Sequence, residues 1–195
     1  MTTLLFNFDA DAPPVNRPLQ MATTSQLQSL LDDALKQADG LRGAHCIHEY
    51  WMRGEMAVNI EAMLASLWKQ AAASIPEWLP MRHISWLATV YDVAGRFRKN
   101  AGGRSHIYLV LLDYSDSRAE PYGIYVGMSK YSAAARFDQH KAGIRAAGSV
   151  LKRGIEILTG PVMHLQFIKR AEAEQIEEQL AEALRAEGLF VQGGH

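Results

Sequence analysis

The chain has 195 residues, 48% of them hydrophobic and 21% charged, with a formal net charge of −1. These values are ordinary for a globular protein with a sizeable core, and the length fits one domain or a module of about 90 residues with an extension of about 100. The single cysteine, Cys46, excludes an intrachain disulfide. No run of about 18 apolar residues or N-terminal secretory signal stands out, so we expect a cytoplasmic protein that does not span a membrane.

The charge is segregated along the chain. The window Lys130–Arg153 holds six basic residues and one acidic residue, which gives a net charge of +5. The window Ala171–Glu187 holds six glutamates and one arginine, which gives −5. The whole-chain value therefore conceals a local basic surface of the kind that binds phosphate groups.

The first half is predicted to be a loose leader followed by helices. Residues 1–24 form the leader, because three prolines between Asp9 and Pro18 interrupt any helical period. Residues 25–100 are predicted to be mostly helical. Thr24 or Ser25 is expected to cap the first helix and Gly40 to end it.

Two further helices are predicted in this region. An apolar stripe from Met56 to Leu67 indicates one of them, and the other is expected from Met81 to about Lys99. Arg96–Arg104 is basic and contains glycine, so we place the domain boundary there.

Residues 104–195 change character and alternate between strand and helix patterns. Apolar, β-prone runs at 107–112 and 122–128 predict a hairpin with a long loop. Helices are expected at 132–147 and 149–158, a third strand at 162–168 and a final helix at 170–187. The predicted order is β-β-α-α-β-α.

Four short motifs lie in this order along the second half. They are His106-Ile-Tyr108, Tyr125-Val-Gly127, Arg136-x-x-x-His140 and Glu172-Ala173-x-x-x-Glu177. Together they resemble the GIY-YIG nuclease family, and the resemblance covers about residues 104–191. It implies an α+β fold in which helices flank a three-stranded antiparallel sheet, preceded here by a mostly helical N-terminal extension.

The resemblance also implies a chemistry, that of a divalent-metal-dependent endonuclease cutting DNA. Glu177 would bind one Mg²⁺ or Mn²⁺ ion, and Tyr125, with Tyr108, would activate the attacking water. Arg136 would balance charge on the phosphate, with His140 four residues further along the helix. A cation and a guanidinium suit phosphodiester cleavage because negative charge builds up on the phosphoryl oxygens.

The position of Glu177 has support that does not depend on the resemblance. On a helix, Glu177 falls inside the apolar face formed by Ala173, Ile176 and Leu180. A carboxylate in such a stripe is costly unless a cation or hydrogen bonds meet it. Arg136 and His140 share a helix face as an i, i+4 pair.

The expected partner is nucleic acid, with DNA as the first choice. Four residues near the motifs are candidates for substrate contact: Gly127, Lys130, Lys141 and Arg145. As a rival interpretation, the basic run is simply a solvated helix surface. The N-terminal helices are expected to serve substrate selection, regulation or association with a second copy or another protein.

Some features favour an alternative. The first motif begins with His106 instead of glycine, and 16 residues separate Tyr108 from Tyr125. The asparagine that often follows the last helix in the family is missing. The alternative is a catalytically weak or inactive module of the same fold that binds nucleic acid or protein. His45, Cys46, His48 and Glu49 resemble metal ligands, but their spacing fits no zinc motif, so packing is the preferred interpretation.

Overall fold

The computed structural model describes residues 17–100 and 102–194, so most of the expected leader lies outside the described residues. The chain divides into two compact units between Ala88 and Thr89. This division falls earlier in the chain than the linker expected at residues 96–104. The fold class is α+β, as predicted.

The first unit is helical. It contains α1 (Thr24–Gln37), α2 (Gly40–Met52), α3 (Ala57–Ala71) and a 3-10 turn at Ala72–Ser74. The capping residue of α1 is Thr23, one position before the expected pair. Its hydroxyl accepts a hydrogen bond from the Gln26 N–H at 3.2 Å, and the Gln26 side chain accepts one from the Thr23 N–H at 2.8 Å.

Gly40 begins α2 and does not end α1, which corrects the sequence prediction. Ala38, with a φ of 53°, makes the turn out of α1. A Cβ at Gly40 would lie 2.5 Å from the Ser74 carbonyl carbon, and the Gly40 N–H donates to Ser74 Oγ at 2.9 Å. Glycine therefore stands there because the backbones approach closely.

The possible metal cluster on α2 is instead part of the core. Glu49 is buried and paired with Arg17 and Arg53, each at 2.7 Å. His45, Cys46 and His48 are buried as well. In residues 17–100 and 102–194, no group of three or more His, Cys, Asp or Glu side chains is arranged to hold a metal ion.

The helix expected from Met81 to Lys99 is much shorter: α4 covers Leu87–Ala94. The Ile84 carbonyl accepts hydrogen bonds from the Leu87 N–H at 3.2 Å and from the Trp51 indole at 3.0 Å. These bonds hold the preceding segment as a turn, so the helix begins late. None of the helices in the described part of the chain has both the length and the apolar character needed to cross a bilayer.

The second unit contains a four-stranded mixed sheet and not the expected three-stranded antiparallel one. Its strands are β1 (His106–Asp113), β2 (Tyr122–Ser129), β3 (Gly154–Ile157) and β4 (Val191–Gly193), in the spatial order β3-β1-β2-β4. β1 runs antiparallel to β2 and β3, whereas β4 pairs with β2 in parallel. The predicted hairpin is β1–β2.

The third strand lies earlier than predicted. Residues 162–168 do not form a strand, because Gly160–Val162 is a 3-10 turn and Phe167 has a φ of 59°. In that stretch Ile168 alone makes a bridge, to Ser105. β3 occupies Gly154–Ile157, in the stretch expected to be helical.

Three helices accompany the sheet: α5 (Ala133–Lys141), α6 (Gly148–Arg153) and α7 (Arg170–Ala186). α5 ends six residues before the predicted end at 147, and a turn containing Gly143 (φ 76°) and Arg145 (φ 46°) follows. A core cluster joins β1 to α6 and comprises Tyr108, Val110, Leu112 and Val150. This cluster positions the predicted site.

Candidate active site

The two motif tyrosines lie on one face of the hairpin. Tyr108 is opposite Gly127 in the register, and Val110 is opposite Tyr125. The two phenol rings are 6.0 Å apart between centroids. A Cβ at Gly127 would lie 2.6 Å from Tyr108 Oη and 2.6 Å from Tyr125 Cε1. Glycine at this position therefore makes the space in which both rings sit.

His140 contacts the phenol of Tyr108. It is fully buried, and its Nε2 lies 2.9 Å from Tyr108 Oη. The Ala147 backbone N–H donates to His140 Nδ1 at 2.9 Å. Because Nδ1 accepts this bond, we assign the ring proton of the neutral imidazole to Nε2, which then donates to Tyr108. Burial and then the Arg136 charge lower the pKa of His140 to about 4, so the ring is neutral near pH 7.

The hydrogen bonds therefore run in one direction. Tyr108 Oη accepts from His140, which leaves its own hydroxyl proton to be donated to Tyr125. Burial, reinforced by the neighbouring phenol of Tyr125, raises the pKa of Tyr108. Burial also raises the pKa of Tyr125, while the hydrogen bond from Tyr108 opposes this. The hydrogen bond from Tyr108 therefore favours the ionised form of Tyr125, against the effect of burial.

Glu177 lies on the buried face of α7, as predicted. It is 9% exposed, and its buried neighbours on the helix are Ala173, Ile176, Leu180, Ala181 and Leu184. Burial raises the pKa of Glu177 to about 7, against a lowering by a hydrogen bond from the Met128 backbone. The carboxylate is also close enough to raise the pKa of Tyr125. No salt bridge to Glu177 is found among the described residues.

Arg136 is half-buried on α5, and its guanidinium faces the turn after that helix. It donates to the Arg145 carbonyl at 2.8 Å, the Ile144 carbonyl at 3.3 Å and Gln139 Oε1 at 3.2 Å. Its charge also lowers the pKa of Tyr125 and His140. Arg136 therefore lies beside the phenols while it holds the turn.

The other candidate contacts have varied surroundings. Lys130 is exposed, with its ammonium 5.1 Å from the centroid of the Tyr131 ring. Lys141 donates to the Gly154 carbonyl at 3.0 Å and the Leu151 carbonyl at 3.3 Å, which joins α5 to the end of α6. Arg145 is exposed, and its carbonyl serves Arg136. Lys141 thus has a clear structural role.

Sequence reasoning missed two backbone groups of this site. The Ala147 N–H fixes the histidine tautomer, and the Met128 backbone meets the Glu177 carboxylate. Neither has a signal in the sequence, because any residue except proline supplies a backbone N–H. A third missed feature is the contact between His106 Nδ1 and Gln166 Oε1 at 2.9 Å, which gives the unexpected histidine of the first motif a partner.

Glu177 is the residue of this site that could serve as a ligand to a divalent cation. Glu177 is the acidic side chain beside the phenols, and a cation would offset the cost of burying its charge. Mg²⁺ is commonly bound through one or two carboxylates and keeps several waters, so substrate oxygens and water would complete the coordination. The arrangement thus offers a cation ligand, an ionisable phenol and a guanidinium.

Comparisons of the chain with protein-family models, with curated proteins and with solved structures found no match.

Proposed function

We propose that residues 104–195 form a divalent-metal-dependent endonuclease of the GIY-YIG type that hydrolyses phosphodiester bonds in DNA. The observation that carries the proposal is the buried chain of hydrogen bonds from Ala147 through His140 to Tyr108. The chain ends at Tyr125, whose pKa is raised by the charge of Glu177. A purely structural core does not need such an aligned set of polar groups, because each must be desolvated.

In this proposal Tyr125 accepts the proton of the attacking water. Tyr108 donates to the Tyr125 oxygen and so stabilises its ionised form. Burial works against ionisation, and so does the negative charge of Glu177. A divalent ion on Glu177 would neutralise that charge and stabilise negative charge on the phosphoryl oxygens. The metal and the phenol are therefore required together.

Arg136 binds a phosphate oxygen in the same mechanism. Its three bonds to Gln139, Ile144 and Arg145 fix the guanidinium in place. A guanidinium has five N–H donors, and Arg136 also hydrogen-bonds to Tyr108, so one donor remains for a phosphate oxygen. A pre-positioned cation costs little reorganisation when charge develops on the phosphate.

The test is cleavage of plasmid DNA in Mg²⁺ or Mn²⁺ by the full chain. Glu177→Ala and Arg136→Ala are each expected to reduce cutting by about 100-fold or more, since each removes charge stabilisation in the transition state. Glu178→Ala is the matched control, because Glu178 is exposed on the same helix. Equal cutting by all four proteins would identify a contaminant and refute the proposal.

A second candidate is a binding module of the same fold with weak or no catalysis. It is favoured by the raised pKa values of Tyr108 and Tyr125, which oppose base catalysis when no cation is bound. This candidate predicts DNA or protein binding by the wild type with no cutting in either metal. Metal-dependent cutting that needs Glu177 would eliminate it.

A further inference from the structure

Phe167 is an exposed aromatic residue in an unfavourable backbone conformation. Its side chain is 63% exposed, and its φ is 59°. This left-handed region is uncommon for residues other than glycine and is a genuine outlier for a bulky one. An exposed phenylalanine also gains nothing from core burial. Such outliers persist where the surroundings enforce them, and they cluster at ligand sites.

Neighbouring backbone groups fix Phe167 in this conformation. Its carbonyl accepts from the Gly103 N–H at 3.0 Å. The next residue, Ile168, exchanges two hydrogen bonds with Ser105, at 2.8 and 2.9 Å. A Cβ at Gly103 would lie 1.8 Å from the Ile168 carbonyl carbon, so the two segments are in direct contact. These backbone contacts therefore hold Phe167 with its ring exposed.

One aromatic ring and one ammonium group lie close to the Phe167 ring. The His106 ring meets it edge-on with centroids 4.9 Å apart, and the Lys99 ammonium is 6.0 Å from its centroid. Lys99 also donates to the Gln166 carbonyl. Two further basic residues, Arg104 and Lys169, are exposed next to Gly103 and Ile168 in the two contacting segments. The acidic neighbour, Glu172, is occupied with the backbone and side-chain amides of Asn100, at 2.7 and 3.1 Å.

His106 connects the Phe167 ring to the strand that carries Tyr108. His106, which touches Phe167, is two residues before Tyr108 and on the same face of β1, a separation of about 7 Å along a strand. Gln166 links His106 to the surroundings of Tyr108. It contacts His106 Nδ1 at 2.9 Å and shares with Tyr108 the lining of a cavity of about 140 Å³.

We propose that the Phe167 ring is a stacking platform for an unstacked nucleobase of the substrate, with Lys99 and its basic neighbours holding the adjoining phosphates. The inference rests on the proposed function and narrows its substrate to nucleic acid that is single-stranded or unpaired near the cut. Duplex bases are already stacked on each other, whereas a free base can stack on an aromatic side chain. The flanking cations match a polyanion.

Binding is measured with the full-length protein in EDTA, with labelled single-stranded and duplex DNA oligonucleotides. Phe167→Ala is expected to weaken single-strand binding about tenfold and duplex binding less than twofold. Phe167→Trp retains a platform and is expected to bind like the wild type. Trp68→Ala is the matched control, because Trp68 is 58% exposed in the other unit and is expected to leave binding unchanged. Lys99→Gln is expected to lower the slope of log affinity against log salt by about one.

Two results would overturn the platform: unchanged single-strand binding by Phe167→Ala, or equal losses for single strands and duplexes. A loss of single-strand binding in Phe167→Asn equal to that in Phe167→Ala would support the stacking platform. Asparagine tolerates the left-handed backbone conformation but lacks the ring. Cleavage of the same single-stranded and duplex oligonucleotides in Mn²⁺ is scored separately. A wild type that cuts in Mn²⁺ while Phe167→Ala binds normally refutes the platform alone. A wild type that never cuts but needs Phe167 to bind refutes the endonuclease alone.

Discussion

Gly127 is packed against the rings of Tyr108 and Tyr125, so adding one methyl group at this position tests how tightly the two phenols are packed. In Gly127→Ala the new Cβ would meet Tyr108 and Tyr125 at 2.6 Å, so at least one ring must move. Overpacking of this kind costs about 1–3 kcal/mol of unfolding free energy. We expect cleavage to fall more than tenfold, because the phenols lose their alignment. Denaturant unfolding and plasmid cleavage measure the two effects.

The control for this substitution is Gly148→Ala at the start of α6. A Cβ at Gly148 meets nothing within 4 Å, and alanine is the better helix former, so stability should stay level or rise. A Gly127→Ala protein that cuts like the wild type would contradict the packing role assigned to this glycine.

Glu177 gives the fold a characteristic pH dependence in EDTA. The unfolded carboxyl ionises near its ordinary pKa of 4.5, whereas the folded one keeps its proton until about pH 7. Between these values the folded state binds more protons than the unfolded state. The free energy of unfolding therefore falls as pH rises from about 4.5 to about 7, and this penalty is constant above that range.

The corresponding prediction concerns Glu177→Gln, which removes the ionisation. The variant should resemble the wild type in stability near pH 4.5 and be the more stable protein at pH 8. Denaturant unfolding across this range measures the difference. Glu178→Gln, an exposed position on the same helix, should follow the wild-type profile. Parallel profiles for the wild type and Glu177→Gln would show that the carboxylate is not desolvated.

At the residue scale, the sequence predicted the helical position of Glu177 but not the backbone groups that hydrogen-bond to the site. Glu177 was visible because a carboxylate interrupts an apolar stripe, and its burial on α7 confirms that position. The direction of the hydrogen bonds was not visible, because the Ala147 N–H sets it through folding of the turn after α5. Lys141 was predicted to contact the substrate, but its ammonium group donates hydrogen bonds to two backbone carbonyls.

At the element scale, the turn between α5 and α6 positions Arg136 and His140, the two catalytic candidates on α5. Its backbone supplies the carbonyls of Ile144 and Arg145 to Arg136 and the N–H of Ala147 to His140. The sequence predicted helix through this turn, since alanine and arginine are good helix formers. Gly143 (φ 76°) and Arg145 (φ 46°) depart from helical geometry. The error therefore fell on the segment that positions the site.

Ala147→Pro tests this turn with little steric change. Ala147 has a φ of −70°, which a proline ring accepts, so the main loss is the N–H that fixes His140. We expect cleavage to fall about 10- to 100-fold with DNA affinity nearly unchanged, and stability to fall by about 1–3 kcal/mol for the unmet acceptor. Ala147→Gly keeps the N–H and should retain cleavage. Equal loss in both variants would assign the effect to packing instead.

The four strands show which parts of the sheet local sequence patterns can predict and which they cannot. β1 and β2 were predicted because each is a continuous β-prone run, and the register confirms their hairpin. β3 has four residues, a length at which periodicity does not separate strand from helix. β4 has three residues and is defined by parallel pairing with β2. Such pairing joins segments far apart in sequence, so no local signal exists.

At the scale of the whole molecule, the segment before β1 belongs to the second unit. Its composition indicated a linker between residues 96 and 104. The structure ties it to distant residues: His164 Nε2 contacts the Ala94 carbonyl at 3.1 Å, and Arg96 pairs with Glu187 at 3.1 Å. The Asn100 N–H donates to Glu172 at 2.7 Å. These contacts are long-range, which is why composition alone does not show them.

Two fragments test whether this segment is structural. The fragment 89–195 keeps the contacts of Ala94, Arg96 and Asn100, whereas the fragment 104–195 loses all three. Exposed pairs contribute little, so the shorter fragment is expected to melt only about 4–8 °C lower, the shift that a small loss of stability causes in a domain of this size. Thermal unfolding followed by circular dichroism measures the difference, with the full chain as reference. Identical melting of the two fragments would show that the segment is a linker after all, and that the second unit begins at β1.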